Sequence, residues 1–226
     1  MIKPSSPAPA KPDGRKENAA ATQAALRAAG RRLFGQLGYE ATSVSALCAE
    51  AGVTAGALYH HFGDKKGLFA AVAEELDSNL VQLVVKASGD VLAKGGRPWD
   101  AFLAGVDALL RAGAEREGRR IGLADAPAVL GSDAWIAIRE RHGLGATIRT
   151  VKALQALGVL VPGDSRRLAR LILGLLYGAI EALPDDPAAT ETALAETRHM
   201  THAMLRSLCH PYALGEDSMR DDANRI

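Results

Sequence analysis

Cysteine is scarce in this chain of 226 residues: Cys48 and Cys209 are the only two. That excludes a disulfide framework and any CxxC metal spacing, and makes a reducing cytoplasm the natural setting. Aromatic residues are also few, at 4%, while Ala, Leu, Arg and Glu dominate, a balance that favours helices over sheets. Long apolar runs are missing. The longest, from Leu171 to Ile180, is interrupted by glycines and too short to span a bilayer, so no membrane partner is expected. Met1 to Asn18 is rich in Pro, Ser, Ala and Lys without the apolar stretch of a secretory signal, and reads as a flexible tail.

Catalytic signatures are thin as well. No glycine-rich loop follows a strand, no serine sits in a strained elbow, and no glutamate accompanies paired histidines. His199, His202, Cys209 and His210 invite a zinc reading, but Cys209 and His210 fall near a helix end, so a surface histidine cluster is the better reading. Neither an enzyme nor a cofactor is expected. Apolar content of 48% and charge of 23% are those of an ordinary globular protein, and the length suffices for one or two domains with a real core.

Charge is unevenly placed. Residues 1–70 carry nine Lys/Arg against five Asp/Glu, a balance of +4, whereas residues 71–226 carry eighteen against twenty-one, a balance of −3. A basic front on a mildly acidic body fits a chain that meets phosphate at one end. Within that front, two short helical patterns flank a glycine. Thr42 and Ser43 offer hydroxyls to the first turn of one helix, and Val44, Leu47 and Ala51 make its apolar face. Gly52 lets the chain turn, Val53 plugs the corner, and Thr54 caps a second helix carrying Ala55, Gly56, Ala57, Leu58, Tyr59, His60, His61 and Phe62. This is a helix-turn-helix at about 42–61. Its second helix has a small-residue tip that can approach DNA closely and ring and hydroxyl groups that suit phosphates or base edges. An ordinary polar helix face is the alternative reading of Tyr59, His60 and His61.

Gly38-Tyr39, Thr42-Ser43-Val44, Ala51-Gly52-Val53, Gly56 to Phe62 and Lys65 to Phe69 resemble the TetR family of transcriptional repressors, over roughly Ala19 to Ala73. Cys48 departs from the alanine usual in the family, a change a small buried thiol tolerates. The resemblance implies an all-α homodimer. A three-helix DNA-binding domain (19–65) lies between the tail (1–18) and a helical ligand-binding and dimerisation domain (66–210), followed by a polar tail (211–226). It further implies that Thr42, Ser43, Thr54, Ala55, Gly56, Ala57, Tyr59, His60, His61 and Lys65 meet a pseudo-palindromic double-stranded operator. Of these, Thr42, Tyr59, His61 and Lys65 would touch phosphates, and Thr54 to Ala57 with His60 would face bases. A small-molecule effector is implied too.

The rest of the chain reads as helices. One runs from about Ala20 to Leu37, with Leu26, Leu33 and Leu37 on a stripe. A second leaves Asp64 with Phe69, Val72, Leu76, Leu80 and Leu83 in line, and Ser88-Gly89 and Gly95-Gly96-Arg97-Pro98 mark the breaks after it. A third begins at Pro98, and the charged stretch from Arg111 to Arg120 reads as solvated. The segment from Ile121 to Gly131, with Trp135 and the Arg139/Arg141 pair, resembles the C-terminal domain of one TetR subgroup. There Asp125 either faces a cavity, caps a helix or pairs with an arginine. Further helices are expected from Leu144 to Leu157, Arg166 to Leu183 and Ala188 to Leu208. Trp99, Phe102, Leu103, Asp125, Trp135, Ile136, Leu175 and Tyr177 are the expected effector contacts, although each apolar one would serve equally as core. Leu171, Gly174, Gly178, Met200, Met204 and Leu208 are the expected dimer face, built as a four-helix bundle between protomers. The alternative function is a DNA-binding architectural or partner-recruiting protein without an inducer.

Overall fold

A computed structural model describes residues 14–210. The outer part of the expected N-terminal tail and the tail 211–226 lie outside the described residues. Helix α1 (Gly14–Leu37) starts within the stretch expected to be tail, and its Leu26 and Phe34 are wholly buried. Leu37, expected on the same stripe, is about half exposed. Helices α2 (Val44–Ala51) and α3 (Ala55–Phe62) form the helix-turn-helix. Gly52 makes their turn at φ 66°, the left-handed region that glycine enters without strain, with its N–H and that of Val53 returned to the carbonyls of α2.

Helix α4 (Lys65–Ala93) is capped by Asp64, whose carboxylate accepts the Gly67 N–H. It passes straight through Ser88 and Gly89, the first expected break, and ends at Ala93 just before the second, where Gly95 takes a φ of 76°. Glycine inside a helix weakens it without ending it when the turn-forming geometry lies further on. Gly67 is required for a different reason: a Cβ there would lie 2.0 Å from the Phe62 carbonyl oxygen, so only glycine lets α4 start hard against the end of α3.

Helix α5 (Pro98–Gly113) follows, then the short α6 (Arg116–Arg119), a π-helical segment (Arg120–Asp125), α7 (Ala126–Leu130) and α8 (Ser132–Arg139). A second π-helical segment (Glu140–Leu144) leads into α9 (Gly145–Ala156), with α10 (Ser165–Glu181) and α11 (Pro187–Arg206) completing the described chain. The region expected to be solvated around Arg119 and Arg120 is instead a brace. Arg119 is largely buried and donates to the Leu183 and Pro184 carbonyls, while Arg120 donates to the Gln36 carbonyl of α1 at 2.9 Å. A guanidinium fork can close several carbonyls at once, which makes arginine suited to splicing irregular backbone.

Two apolar clusters result. The front one joins Leu26, Phe34, Leu47, Leu58, Leu68, Phe69 and Val72 with Ile121, Ala126, Trp135 and Ile138. The rear one joins Trp99, Phe102, Val106, Leu110, Val151, Leu154, Ile172, Leu176, Ile180 and Leu205. Packing therefore does not part at residue 65: the core of the helix-turn-helix is closed by residues 121–138. Among the described residues the fold is all-α, with one isolated antiparallel bridge between Leu160 and Cys209, and no helix is long and apolar enough to cross a membrane.

Candidate nucleic-acid interface and effector cavity

The two ends of α3 explain its presentation. Thr54 Oγ1 accepts the Ala57 N–H at 3.3 Å, which leaves the amides of the first turn facing outward. Leu58 is wholly buried and anchors the helix from below. Thr54, Ala55, Gly56, Tyr59 and His60 are exposed on the opposite side, with Ala57 and His61 half-buried beside them. A Cβ on Gly56 would meet only the Thr54 hydroxyl, at 3.8 Å. The tip is smooth, open and carries the positive end of a helix, which is the electrostatics and shape a phosphate backbone accepts.

Three expected contacts are placed differently. Thr42 is wholly buried, and its hydroxyl donates to the Gly38 and Leu33 carbonyls, the former at 2.7 Å. Its side chain therefore has no path to phosphate, and the cap of α2 is Ser43, which accepts the Ala46 N–H at 3.1 Å. The Lys65 ammonium donates to the Tyr39 and Thr42 carbonyls at 3.0 and 3.1 Å and lies 4.1 Å from the Tyr39 ring centre. It staples the loop before α2 to the start of α4, with one N–H left over. His61 Nδ1 lies 3.4 Å from Gln23 Nε2 of α1. A sequence reading cannot separate a lysine spent on carbonyls from one offered to DNA, because both sit at the first turn of a helix.

Behind the front core, two cavities of about 370 and 170 Å³ lie along α4. The larger is bounded by α4, α5, α9 and α10, the smaller by α4, α5, α8 and α10 and the segment between α5 and α8. Both reach Asp77, Leu80, Leu109 and Tyr177. Of the expected effector contacts, Phe102 lines the larger cavity, Trp135 the smaller and Tyr177 both. Trp99 stacks on Phe102 at 5.4 Å inside the rear core, and Leu103 and Leu175 pack against that core. Two assignments are corrected. Ile136 is half exposed on the outer side of α8. Asp125 faces the other way, its Oδ2 accepting the Tyr39 N–H at 3.0 Å, so it pins the helix-turn-helix to the body.

Of the polar groups at the cavities, Tyr177 was expected from the sequence and Asp77 was not. Asp77 is 6% exposed and its Oδ2 has no partner. Burial pushes its carboxyl up to about 6, against the opposing pull of Arg139, His142 and the hydrogen-bonded Gly143 backbone. Arg139 lies with its guanidinium carbon 3.3 Å from the Tyr177 ring centre. Burial likewise raises the Tyr177 hydroxyl to about 12, so it stays protonated. A signal for Asp77 was present: it stands four residues after Ala73 and three before Leu80, an acid on the buried stripe of α4.

On the outer face, Leu171, Met200 and Met204 are more than half exposed, and Gly174 and Gly178 would meet nothing within 4 Å if given a Cβ. Leu208 is half-buried against the rear core. His202 Nε2 lies 2.7 Å from Asp107 Oδ1, and among the described residues no three His, Cys, Asp or Glu side chains converge as metal ligands.

The same division appears when the chain is compared with known proteins. The family model described as bacterial regulatory proteins, tetR family, matches residues 26–72, and a tetracyclin repressor-like C-terminal domain matches residues 99–208. The HTH-type transcriptional repressor AcnR of Corynebacterium glutamicum is 43% identical over 54 residues, which is 24% of this chain and 29% of that protein. The HTH-type transcriptional regulator AcrR of Shigella flexneri is 38% identical over 82 residues, 34% of this chain and 38% of that protein. The chain thus matches well under half the length of these two relatives. Along nearly its full length it resembles the crystal structure of a TetR-family transcriptional regulator from Pectobacterium atrosepticum, at 34% identity and a TM-score of 0.70 over 86% of this chain and 97% of that one. The chain belongs to the TetR family of DNA-binding transcriptional regulators.

Proposed function

We propose that the protein is a homodimeric, cytoplasmic repressor, not an enzyme, that leaves its operator when a small, mostly apolar molecule enters the cavities along α4. The observation that carries this is the path of one helix: α4 starts against the recognition helix at Gly67 and reaches the cavities at Ala73 to Leu92. Anything that spreads the cavity walls tilts the same rod that seats α3. Two copies joined through α10 and α11 would hold two recognition helices for successive major grooves of a pseudo-palindrome. The exposed Leu171, Gly174, Gly178, Met200 and Met204 stripe supports that pairing, since an apolar, small-residue face gains stability when a second copy covers it. Release follows because a dimer that engages one half-site only loses the advantage of linked binding.

Thr54, Ala55, Gly56, Ala57, Tyr59 and His60 form the DNA face, with Ser43 and His61 at its edge. Few of them carry long donors, so thymine methyl contacts, His60 and DNA shape supply much of the specificity. The test is a fluorescence-anisotropy titration with duplex from upstream of the protein's own gene. Small apolar compounds are then added to the preformed complex. Two chains per duplex and a compound-dependent fall in anisotropy are expected. Specific binding that no such compound releases would favour an architectural or partner-recruiting regulator instead.

A further inference from the structure

Gly143 sits where the larger cavity meets its polar end. A Cβ on Gly143 would lie at ordinary contact distance from three oxygens, Tyr177 Oη at 3.8 Å and the two Asp77 carboxylate oxygens at 3.9 and 4.0 Å, so the glycine backbone faces a cluster of polar atoms. Gly143 belongs to the π-helical segment Glu140–Leu144, where the backbone turn is widened. Glu140 anchors the segment to α10 through Arg166 and Arg170 at 2.8 and 2.5 Å. From this point the 370 Å³ cavity extends between α4, α5, α9 and α10 past Val84, Phe102 and Leu176. Asp77 Oδ2 is buried without a partner at the polar end of this cavity and is closed even to a water-sized probe, so a donor reaches it only as the cavity walls give way.

The chemistry of that donor is constrained from three sides. Tyr177 stays protonated, so it can donate to the ligand, and Asp77 Oδ2 can only accept from it. A hydroxyl does both; an ammonium only donates. The carboxylate is already faced by Arg139 and His142, with Glu74 also near. An added anion would meet the Asp77 carboxylate, and an added cation would compete for that carboxylate with Arg139, which faces it from the smaller cavity, each at a cost that an uncharged group avoids. The remaining walls are aliphatic and aromatic apart from the Ser88, Thr147 and Thr150 hydroxyls, of which the two threonines already donate to the Gly143 and Ala146 carbonyls. We propose that the effector is an uncharged, hydroxyl-bearing apolar molecule. Its O–H donates to Asp77 Oδ2 beside Gly143, its oxygen accepts from Tyr177, and its apolar body fills the larger cavity. This rests on the reading of that cavity as the effector site.

The experiment uses three probes of one chain length, 1-nonanol, nonylammonium and nonanoate, titrated into the full-length dimer by calorimetry and, in parallel, into its operator complex by anisotropy. Nonanol is expected to bind about tenfold or more tightly than either ion. Gly143→Ala, which adds a methyl at ordinary contact distance, is expected to weaken nonanol by about tenfold or more, and Asp77→Asn by several-fold. Equal binding of the three probes, a preference for either ion, or nonanol affinity untouched by Gly143→Ala would overturn the proposal. If nonanol binds with this pattern but leaves anisotropy unchanged, the ligand class stands and the effector reading fails.

Discussion

The front and rear halves of this molecule spend their polar groups in opposite ways. At the helix-turn-helix most inward-facing polar groups are paired: Thr42 donates to the Gly38 carbonyl, Lys65 to two more and Asp125 takes the Tyr39 N–H, with Arg27 Nε of α1 the buried exception among the described residues. At the cavities, Asp77 Oδ2 is buried without a partner, and so is Trp135 Nε1 where the front core meets the smaller cavity. The first arrangement holds a shape; the second leaves stability to be gained from a ligand. A regulator needs both, because a reading head that flexes cannot discriminate sequences, and a sensor that is fully satisfied has nothing to respond with.

Breaking the front half should cost most. Gly67→Ala places a methyl where the Phe62 carbonyl oxygen stands, so α3 and α4 must separate. A loss of about 3 kcal/mol or more is expected, seen as an early unfolding transition, together with loss of operator binding. Wild-type stability with Ala at this position would mean that α4 does not abut α3.

The rear half should behave in reverse, with a substitution that stabilises. Asp77 has a folded pKa of about 6, raised from 3.8 by burial. A raised acid contributes stability that is complete below pH 4 and lost as pH climbs through 6, so at pH 8 the ionised carboxylate is a full burden. Two units correspond to about 3 kcal/mol at most. Asp77→Asn should therefore raise the urea midpoint at pH 8 and have little effect at pH 4. A loss of stability at pH 8 would show that the carboxylate is better satisfied than its surroundings indicate.

Lys65→Met sharpens the contrast by asking what a front-half cation is for. Removing two charge-assisted bonds should cost about 2 kcal/mol, with the salt dependence of operator binding unchanged. A slope reduced by about one would return Lys65 to the phosphate contacts. The smallest effect on stability is expected for exposed His60→Ala, within about 0.5 kcal/mol, while the preferred operator sequence shifts in a selection from random duplexes.

How much of this was legible beforehand depended on whether a residue's role is local. The caps Ser43 and Thr54, the left-handed Gly52 and the inward Leu58 follow from spacing along one or two turns, and so does the all-α fold. Roles that depend on partners far along the chain did not. Thr42 looked like a cap or a phosphate contact, yet its hydroxyl is consumed by carbonyls four and nine residues back. Asp125 and Ile136 sit in an apolar run that resembles a pocket wall, but one reaches Tyr39 and the other faces solvent. Arg119 and Arg120 looked solvated because their sequence neighbours are charged; their acceptors lie in other helices. Asp77 was hidden in plain periodicity, an acid inside a stripe read for its leucines.

The most direct test of the recognition helix follows from its unpaired first-turn amides. Amide hydrogen exchange of the protein, free and bound to duplex DNA from upstream of its own gene, should show new protection at Ala55 and Gly56, whose N–H groups have no partner within the helix, and at the neighbouring Tyr59–His60 face. Amides lining the cavity near Asp77 and Gly143 should gain none until a ligand is added. Protection that leaves Ala55 and Gly56 unchanged while covering another surface would contradict the assignment of α3 as the element that reads DNA.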